Sequence, residues 1–164
     1  MRVLPDVLGP GLNVVFCGTA AGSASAHAGA YYAGPGNKFW GTLYEVGFTP
    51  YRLAPSQFRE ILDFGLGLTD VCKSAAGSDR EIGNRRWDVP GLIAELDSCR
   101  PKWIAFNGKK AAEASLGRKV NYGPQPERLG PASVFVLSST SGAASGAWSR
   151  TPWERLAQLA GYRS

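Results

Sequence analysis

The stretch LNVVFCGTAAGSASAHAGAYYAGPGNKFW, residues 12–40, decides the fold of this chain. Leu12 to Cys17 is a short apolar run rich in Val and Phe that ends at Gly18, the pattern of a buried strand. From Gly18 to Gly36 nearly every residue is Gly, Ala or Ser, with Pro35 near the end, so this segment reads as a long loop. The period then changes. Phe39, Trp40, Leu43, Tyr44 and Val46 approximate one helical face, Asn37 follows Pro-Gly where it can cap the helix, and Gly47 is a natural stop.

Outward from this stretch, strands and helices alternate. Ser56 to Phe64 reads as a short helix. Asp88 to Cys99 reads as a helix with Leu92, Ile93 and Leu96 inward, followed by a strand at Lys102 to Phe106 and a helix at Gly108 to Leu116. Ser133 to Leu137 is a third strand. Thr151-Pro152-Trp153-Glu154 opens the last helix, with Thr151 as N-cap, Glu154 completing a capping box, and Leu156 and Leu159 inward. Such alternation predicts a three-layer α/β/α fold with a short, mainly parallel central sheet and right-handed crossovers. No repeat or linker divides the chain, so residues 1–164 read as one domain. In sheets of this kind ligands sit beyond the carboxyl ends of the strands. Two strands here run into small, polar loops, 18–36 and 138–146, which the fold would bring to one edge.

Composition narrows the class. With 44% hydrophobic and 19% charged residues the chain is globular rather than disordered. No run approaches the ~18 apolar residues of a membrane span, and the first residues lack the apolar core of a signal peptide, so a cytoplasmic protein is expected. Cys17, Cys72 and Cys99 are not at metal-ligand spacing and His27 is the single histidine, so neither a metal site nor a cofactor is expected. A net charge of +5 permits nucleic-acid binding. Gly18-Thr-Ala-Ala-Gly22 is superficially a phosphate-cradling loop. It lacks the Gly-Lys-Ser/Thr ending of a P-loop and the spacing of a dinucleotide fingerprint.

Read as a whole, Val15-Phe-Cys-Gly-Thr-Ala-Ala-Gly22 followed by Tyr31-Tyr-Ala-Gly-Pro-Gly-Asn-Lys-Phe-Trp40 closely resembles the uracil-DNA glycosylase superfamily, in particular its mismatch-specific (Mug and thymine-DNA glycosylase) branch. Gly67-Leu-Thr-Asp-Val71, Phe106-Asn-Gly-Lys109 and Leu137-Ser-Ser-Thr-Ser-Gly142 extend the likeness in register along most of the chain. The resemblance implies a DNA glycosylase that acts as a monomer and removes uracil, or another deaminated base, by hydrolysis of the N-glycosidic bond.

That chemistry accounts for the residue types. A glycosylase takes the base out of the duplex into a tight pocket. Gly18, Thr19, Ala20 and Ala21 let backbone amides come close to a base carbonyl, where they can stabilise charge on the departing base. The resemblance assigns Tyr32 to stack on the flipped base. It also exposes a departure. Ala20 stands where the mismatch-specific enzymes carry the Asn that positions water, and Ser139 where they carry Asn or His. A subset resembling the hypoxanthine-DNA glycosylases uses the Asn of the second element instead, and Asn37 matches it; the same residue could simply cap the helix. Asp70, read as lying in a loop after Gly67-Leu-Thr69, is a second candidate as base for water, and His27 a third. Ser139, Ser141 and the Gly142 amide suit DNA phosphates. The wedge position falls at Ala143–Ala144, too small to fill a vacated stack, so Trp148 or Arg150 could serve. Arg80, Arg85 and Arg86 could add backbone contacts. With Ala20 and Ser139 replacing the usual polar groups, a binder of uracil-containing or abasic DNA that has lost the chemistry is the alternative.

Overall fold

The computed structural model of the chain describes residues 4–72 and 87–162, without the side chains of Ser23 and 143–145. Five strands form one sheet in the order β2-β1-β3-β5-β4. They are β1 (Val14–Gly18), β2 (Leu66–Asp70), β3 (Trp103–Asn107), β4 (Gly123–Leu129) and β5 (Ala132–Leu137). The first three and β5 run parallel, while β4 pairs antiparallel with β5 at the edge. The helices are α1 (Ser23–Ala28), α2 (Phe39–Glu45), α3 (Val89–Cys99), α4 (Lys109–Leu116) and α5 (Thr151–Leu159), with 3₁₀ segments at Pro55–Phe64 and Gly142–Ala147. This is the three-layer α/β/α arrangement.

Strand alternation divides the core. Val14, Phe16, Ala105, Phe135 and Leu137 face one layer with residues of α2 and α5, whereas Cys17, Ile104, Phe106, Val134 and Val136 face the other with residues of α3 and α4. Successive strand residues point to opposite faces, and because both faces are covered the runs are apolar throughout rather than alternating. Trp153 of α5 is fully buried, stacks on Phe16 at 5.7 Å between centroids, and donates its indole N–H to the Ser138 carbonyl.

Three expected strands are present, shifted by one or two residues, and two more join them. β2 lies where a loop was expected. Its sequence, LGLTD, is short and partly polar, yet all five residues are buried. Thr69 is satisfied by donating to Asp6 at 2.8 Å. Gly67 is required because Val7 bridges Leu68 antiparallel, and a Cβ on Gly67 would meet the Val7 carbonyl at 2.7 Å. The β4 sequence, GPQPERL, carries two prolines, which only an edge strand tolerates. Its register shifts between Pro124 and Arg128, which accommodates Pro126.

The helix ends differ in detail. Asp88 caps α3 by accepting from the Gly91 N–H at 3.0 Å, but α5 begins at Thr151 with no side-chain cap, so the expected capping box is not formed. Leu159 is exposed, and Trp153 fills the inward face in its place. Tyr44 is likewise exposed and is not part of the inward face of α2. Ser56 to Phe64 is 3₁₀ rather than α-helical.

Candidate active site

Four parallel strands end together, at Gly18, Asp70, Asn107 and Leu137, and the register sets Gly18 directly beside Asp70. The loop leaving β1 is clamped at once to the end of β2: Gly18 accepts from the Val71 N–H at 2.9 Å and Thr19 from the Cys72 N–H at 2.6 Å. Asp70 therefore ends a buried strand and is 5% exposed. It is not the loop carboxylate that its sequence context implied.

Small residues let the 18–36 segment fold back on the strand ends. α1 closes with Gly29 in the left-handed conformation, and the chain turns through Tyr31 and Tyr32. The turn is pinned on both sides of Tyr32. The Tyr31 carbonyl accepts from the Trp40 indole at 3.0 Å, and the Ala33 N–H donates to the buried Ser25 hydroxyl at 2.9 Å. Between these anchors Tyr32 has φ 52°, a left-handed conformation that is costly for an aromatic residue and held only by its surroundings. Its ring stacks on Phe39 with centroids 4.1 Å apart, and Phe39 sits edge-on to Phe16, Trp40 and Trp153. The half-buried ring thus stands on a rigid aromatic base.

The Tyr32 hydroxyl is buried without a hydrogen-bond partner. A Cβ on Gly18 would lie 3.3 Å from it and 2.9 Å from Asp70 Oδ1. A side chain here would have to push the Asp70 carboxylate aside and crowd the Tyr32 hydroxyl. Burial pushes the Tyr32 phenol well above its ordinary pKa and the Asp70 charge adds to this, while the nearby Asn107 carboxamide acts in the opposite sense. Tyr31 is pushed up in the same way, by burial first and then by Asp70. Both phenols are neutral O–H groups at physiological pH.

The opposite wall comes from β3 and β5. Asn107 donates through Nδ2 to the Thr140 hydroxyl at 2.9 Å and accepts through Oδ1 from the Thr140 N–H at 3.0 Å. Thr140 in turn accepts from the Lys38 N–H at 2.9 Å, which joins this wall to the loop carrying Asn37. Gly36 and Gly142 pack backbone to backbone, close enough that a Cβ on Gly142 would stand 3.3 Å from the Gly36 carbonyl oxygen. The Ser141 N–H donates to the Ser139 hydroxyl at 3.2 Å, and the Ser138 hydroxyl bonds the Ser149 carbonyl. Ser139 also packs against Gly108 at the start of α4.

The structure thus gathers Gly18, Thr19, Tyr32 and Asp70 on one side and Ser139, Ser141 and Gly142 on the other, with Asn37 at the join. Asn37 Oδ1 accepts from the Phe39 N–H at 3.0 Å, so the carboxamide oxygen holds the start of α2. Ala20 is half-buried and Ala21 buried beside the β1 end. No described contact ties His27 or Arg150 to the cluster. His27 is exposed in the last turn of α1, and Arg150 is exposed and paired with Glu45 at 3.5 Å. The side chain of Ala143, and Arg80, Arg85 and Arg86, lie outside the described residues. Asn107 and Thr140 were not singled out from the sequence. For Asn107 the available signal was a polar residue closing the apolar run WIAFN at the carboxyl edge of the sheet.

Among the described residues no three His, Cys, Asp or Glu side chains cluster to hold a metal ion, and no helix is long and apolar enough to cross a membrane. A solution NMR structure from Methanosarcina acetivorans, described provisionally as a uracil DNA glycosylase, superposes with a TM-score of 0.65 at 23% identity, covering 96% of each chain. It shares the fold. The family model for the uracil DNA glycosylase superfamily matches residues 5–160. That match takes in every strand and both walls of the site, and the chain belongs to the uracil DNA glycosylase superfamily.

Proposed function

We propose that this protein is a monofunctional DNA glycosylase that removes uracil, and other deaminated bases, from DNA. It would belong with the mismatch-specific branch and carry a first loop of the hypoxanthine-DNA glycosylase type. The observation that supports this most is Tyr32, held in a strained left-handed turn on Phe39 with its hydroxyl buried at the Gly18–Asp70 strand end. Phe39 covers one face of the ring, and in this reading the flipped base stacks on the other.

In this reading the target nucleotide swings out of the stack into the cleft between the two walls. The C1′–N bond breaks and its electron pair leaves with the base. Water forms the new bond to C1′ and loses a proton, which ends on the base, so an abasic site remains. Ala20 cannot orient that water. Asn37 takes the role through its carboxamide, which has both donor and acceptor groups. Its oxygen now holds the Phe39 N–H and its NH₂ makes no bond among the described residues. Ser139, Ser141 and Gly142 contact phosphates on the far wall. The protein acts as a monomer, on DNA and without a cofactor.

A second reading, a binder of damaged or abasic DNA without turnover, is favoured by Ala20 and by the Asn37 oxygen being committed to the backbone. One experiment separates them. Labelled oligonucleotides carrying uracil, hypoxanthine or xanthine, single-stranded and opposite each base, are incubated with protein and treated with alkali. Cleavage at the lesion that drops ~10²-fold or more in Asn37→Ala supports the enzyme. Binding without cleavage of any substrate supports the binder.

A further inference from the structure

We propose that Tyr122, flanked by Lys109 and Arg155, forms a ledge outside the cleft that binds an unpaired stretch of DNA, with a base stacked on the tyrosine ring and the neighbouring phosphates on the two cations. This extends the glycosylase reading and rests on its DNA substrate.

The topology puts the ledge beside the cleft. β4 runs antiparallel to β5, and Gly123 at its start pairs with Val136, one residue from the end of β5. Tyr122 therefore lies at the carboxyl edge of the parallel strands. Lys109 opens α4 directly after Gly108, where a Cβ would stand 3.3 Å from Ser139, so it continues the far wall. Its ammonium sits 4.6 Å from the centre of the Tyr122 ring. Arg155 comes from α5, in the other helical layer, and a Cβ on Gly123 would meet its Nη1 at 3.3 Å. Cations thus reach Tyr122 and its neighbour from both layers.

The chemistry of the three side chains names the ligand. Lys109 and Arg155 are exposed, and neither enters an ion pair among the described residues. Other exposed cations nearby are neutralised: Arg118 by Glu127 at 2.6 Å, and Arg150 by Glu45 at 3.5 Å. The first turn of α4, where acidic residues are favoured, holds no acid to offset Lys109. Two unneutralised cations suit phosphates, as Ser139 and Ser141 do on the adjoining wall. Tyr122 is 37% exposed between them, and an exposed ring with cations beside it suits a base. A duplex keeps its base faces stacked on one another away from its ends. The strand that can stack on Tyr122 is therefore an unpaired one.

The test measures anisotropy binding of wild type, Tyr122→Ser, Tyr122→Phe and the double variant Lys109→Gln, Arg155→Gln. The probes are uracil-containing duplexes, either blunt or with a single-stranded tail on one side or the other. Wild type should bind the tailed duplex of one polarity ~10-fold or more tighter than the blunt one. Tyr122→Ser should lose that gain and Tyr122→Phe keep it. The double variant should make the fall of log K with log salt shallower by about 0.7 for each cation removed. All variants should melt within a few degrees of wild type, since the three side chains are exposed. Single-turnover uracil excision at saturating protein should stay within about twofold of wild type, because the ledge touches neither the excised base nor the water. A tail that adds nothing on either side, or a gain that survives Tyr122→Ser, overturns the ledge and leaves the glycosylase reading in place. A tail gain lost in Tyr122→Ser, with no excision by wild type, supports the ledge and removes the enzyme. Binding to none of the probes removes both.

Discussion

Asn107 and Thr140 are joined by two reciprocal hydrogen bonds, side chain to side chain at 2.9 Å and backbone to side chain at 3.0 Å, which tie the end of β3 to the loop that follows β5. Thr140 is fully buried and passes the connection on to Lys38. Replacing Asn107 by Leu leaves a buried N–H and a hydroxyl without partners. The expected loss is about 2 kcal/mol in urea unfolding, with any glycosylase activity falling further because both walls move. Asn107→Asp, which keeps the acceptor for the Thr140 N–H, should lose less stability than Asn107→Leu. Equal losses would show that the reciprocal pair does not hold the loop.

Gly18 separates packing from chemistry. The Cβ of Gly18→Ala would come within 2.9 Å of Asp70 Oδ1, but that atom ends a side chain and can turn aside. Stability should therefore fall by only ~1 kcal/mol. Excision, or binding of damaged DNA, should fall by ~10²-fold, since displacing the Asp70 and Tyr32 oxygens misplaces the base. Thermal melting and single-turnover assays on one preparation check this, and a variant that melts early but binds normally would contradict it.

The buried tyrosines give an alkaline signature. In the folded chain the phenols of Tyr31 and Tyr32 are raised above their ordinary value of 10, chiefly by burial, so folding favours the neutral forms. Their contribution is fully present below pH 10 and is lost as pH rises past it, because the unfolded chain ionises where the folded one does not. Each contributes a slope of about 1.4 kcal/mol per pH unit in that window. Melting temperature should fall steeply between about pH 10 and 11.5, and Tyr32→Phe should flatten the fall. A variant with the wild-type slope would show that Tyr32 is not buried as described.

Trp153 supports the site from beneath. It is fully buried, stacks on Phe16 and donates to the Ser138 carbonyl at the root of the loop that follows β5. Trp153→Ala should cost ~3–5 kcal/mol. Trp153→Phe keeps much of the ring and should cost ~1–2 kcal/mol, mainly from the carbonyl left without its donor. Chemical denaturation of both variants gives the comparison, and equal losses would assign the effect to volume alone.

Much of the fold was legible because periodicity is a local property. VVFC, WIAFN and SVFVL each form a strand, and Asp88 caps a helix, from residues adjacent in the chain. β2 and β4 were not legible. LGLTD becomes a strand only because Val7 and β1 supply partners and Asp6 takes the Thr69 hydroxyl, and GPQPERL only because its prolines fall on a sheet edge.

The sequence by itself determined the α/β class, the meeting of the 18–36 and 138–146 loops at one sheet edge and, through residues 15–40, the family. Those rest on patterns and motifs contained in contiguous segments. Tertiary structure alone decided that Asp70 is a buried strand end, that Asn107 locks onto Thr140, and that the Tyr32 hydroxyl and the Asp70 carboxylate both lie close to Gly18. Each is a meeting of residues brought together by strand register or loop closure. The packing that overrides local propensity there also leaves the Tyr32 hydroxyl buried and unpaired.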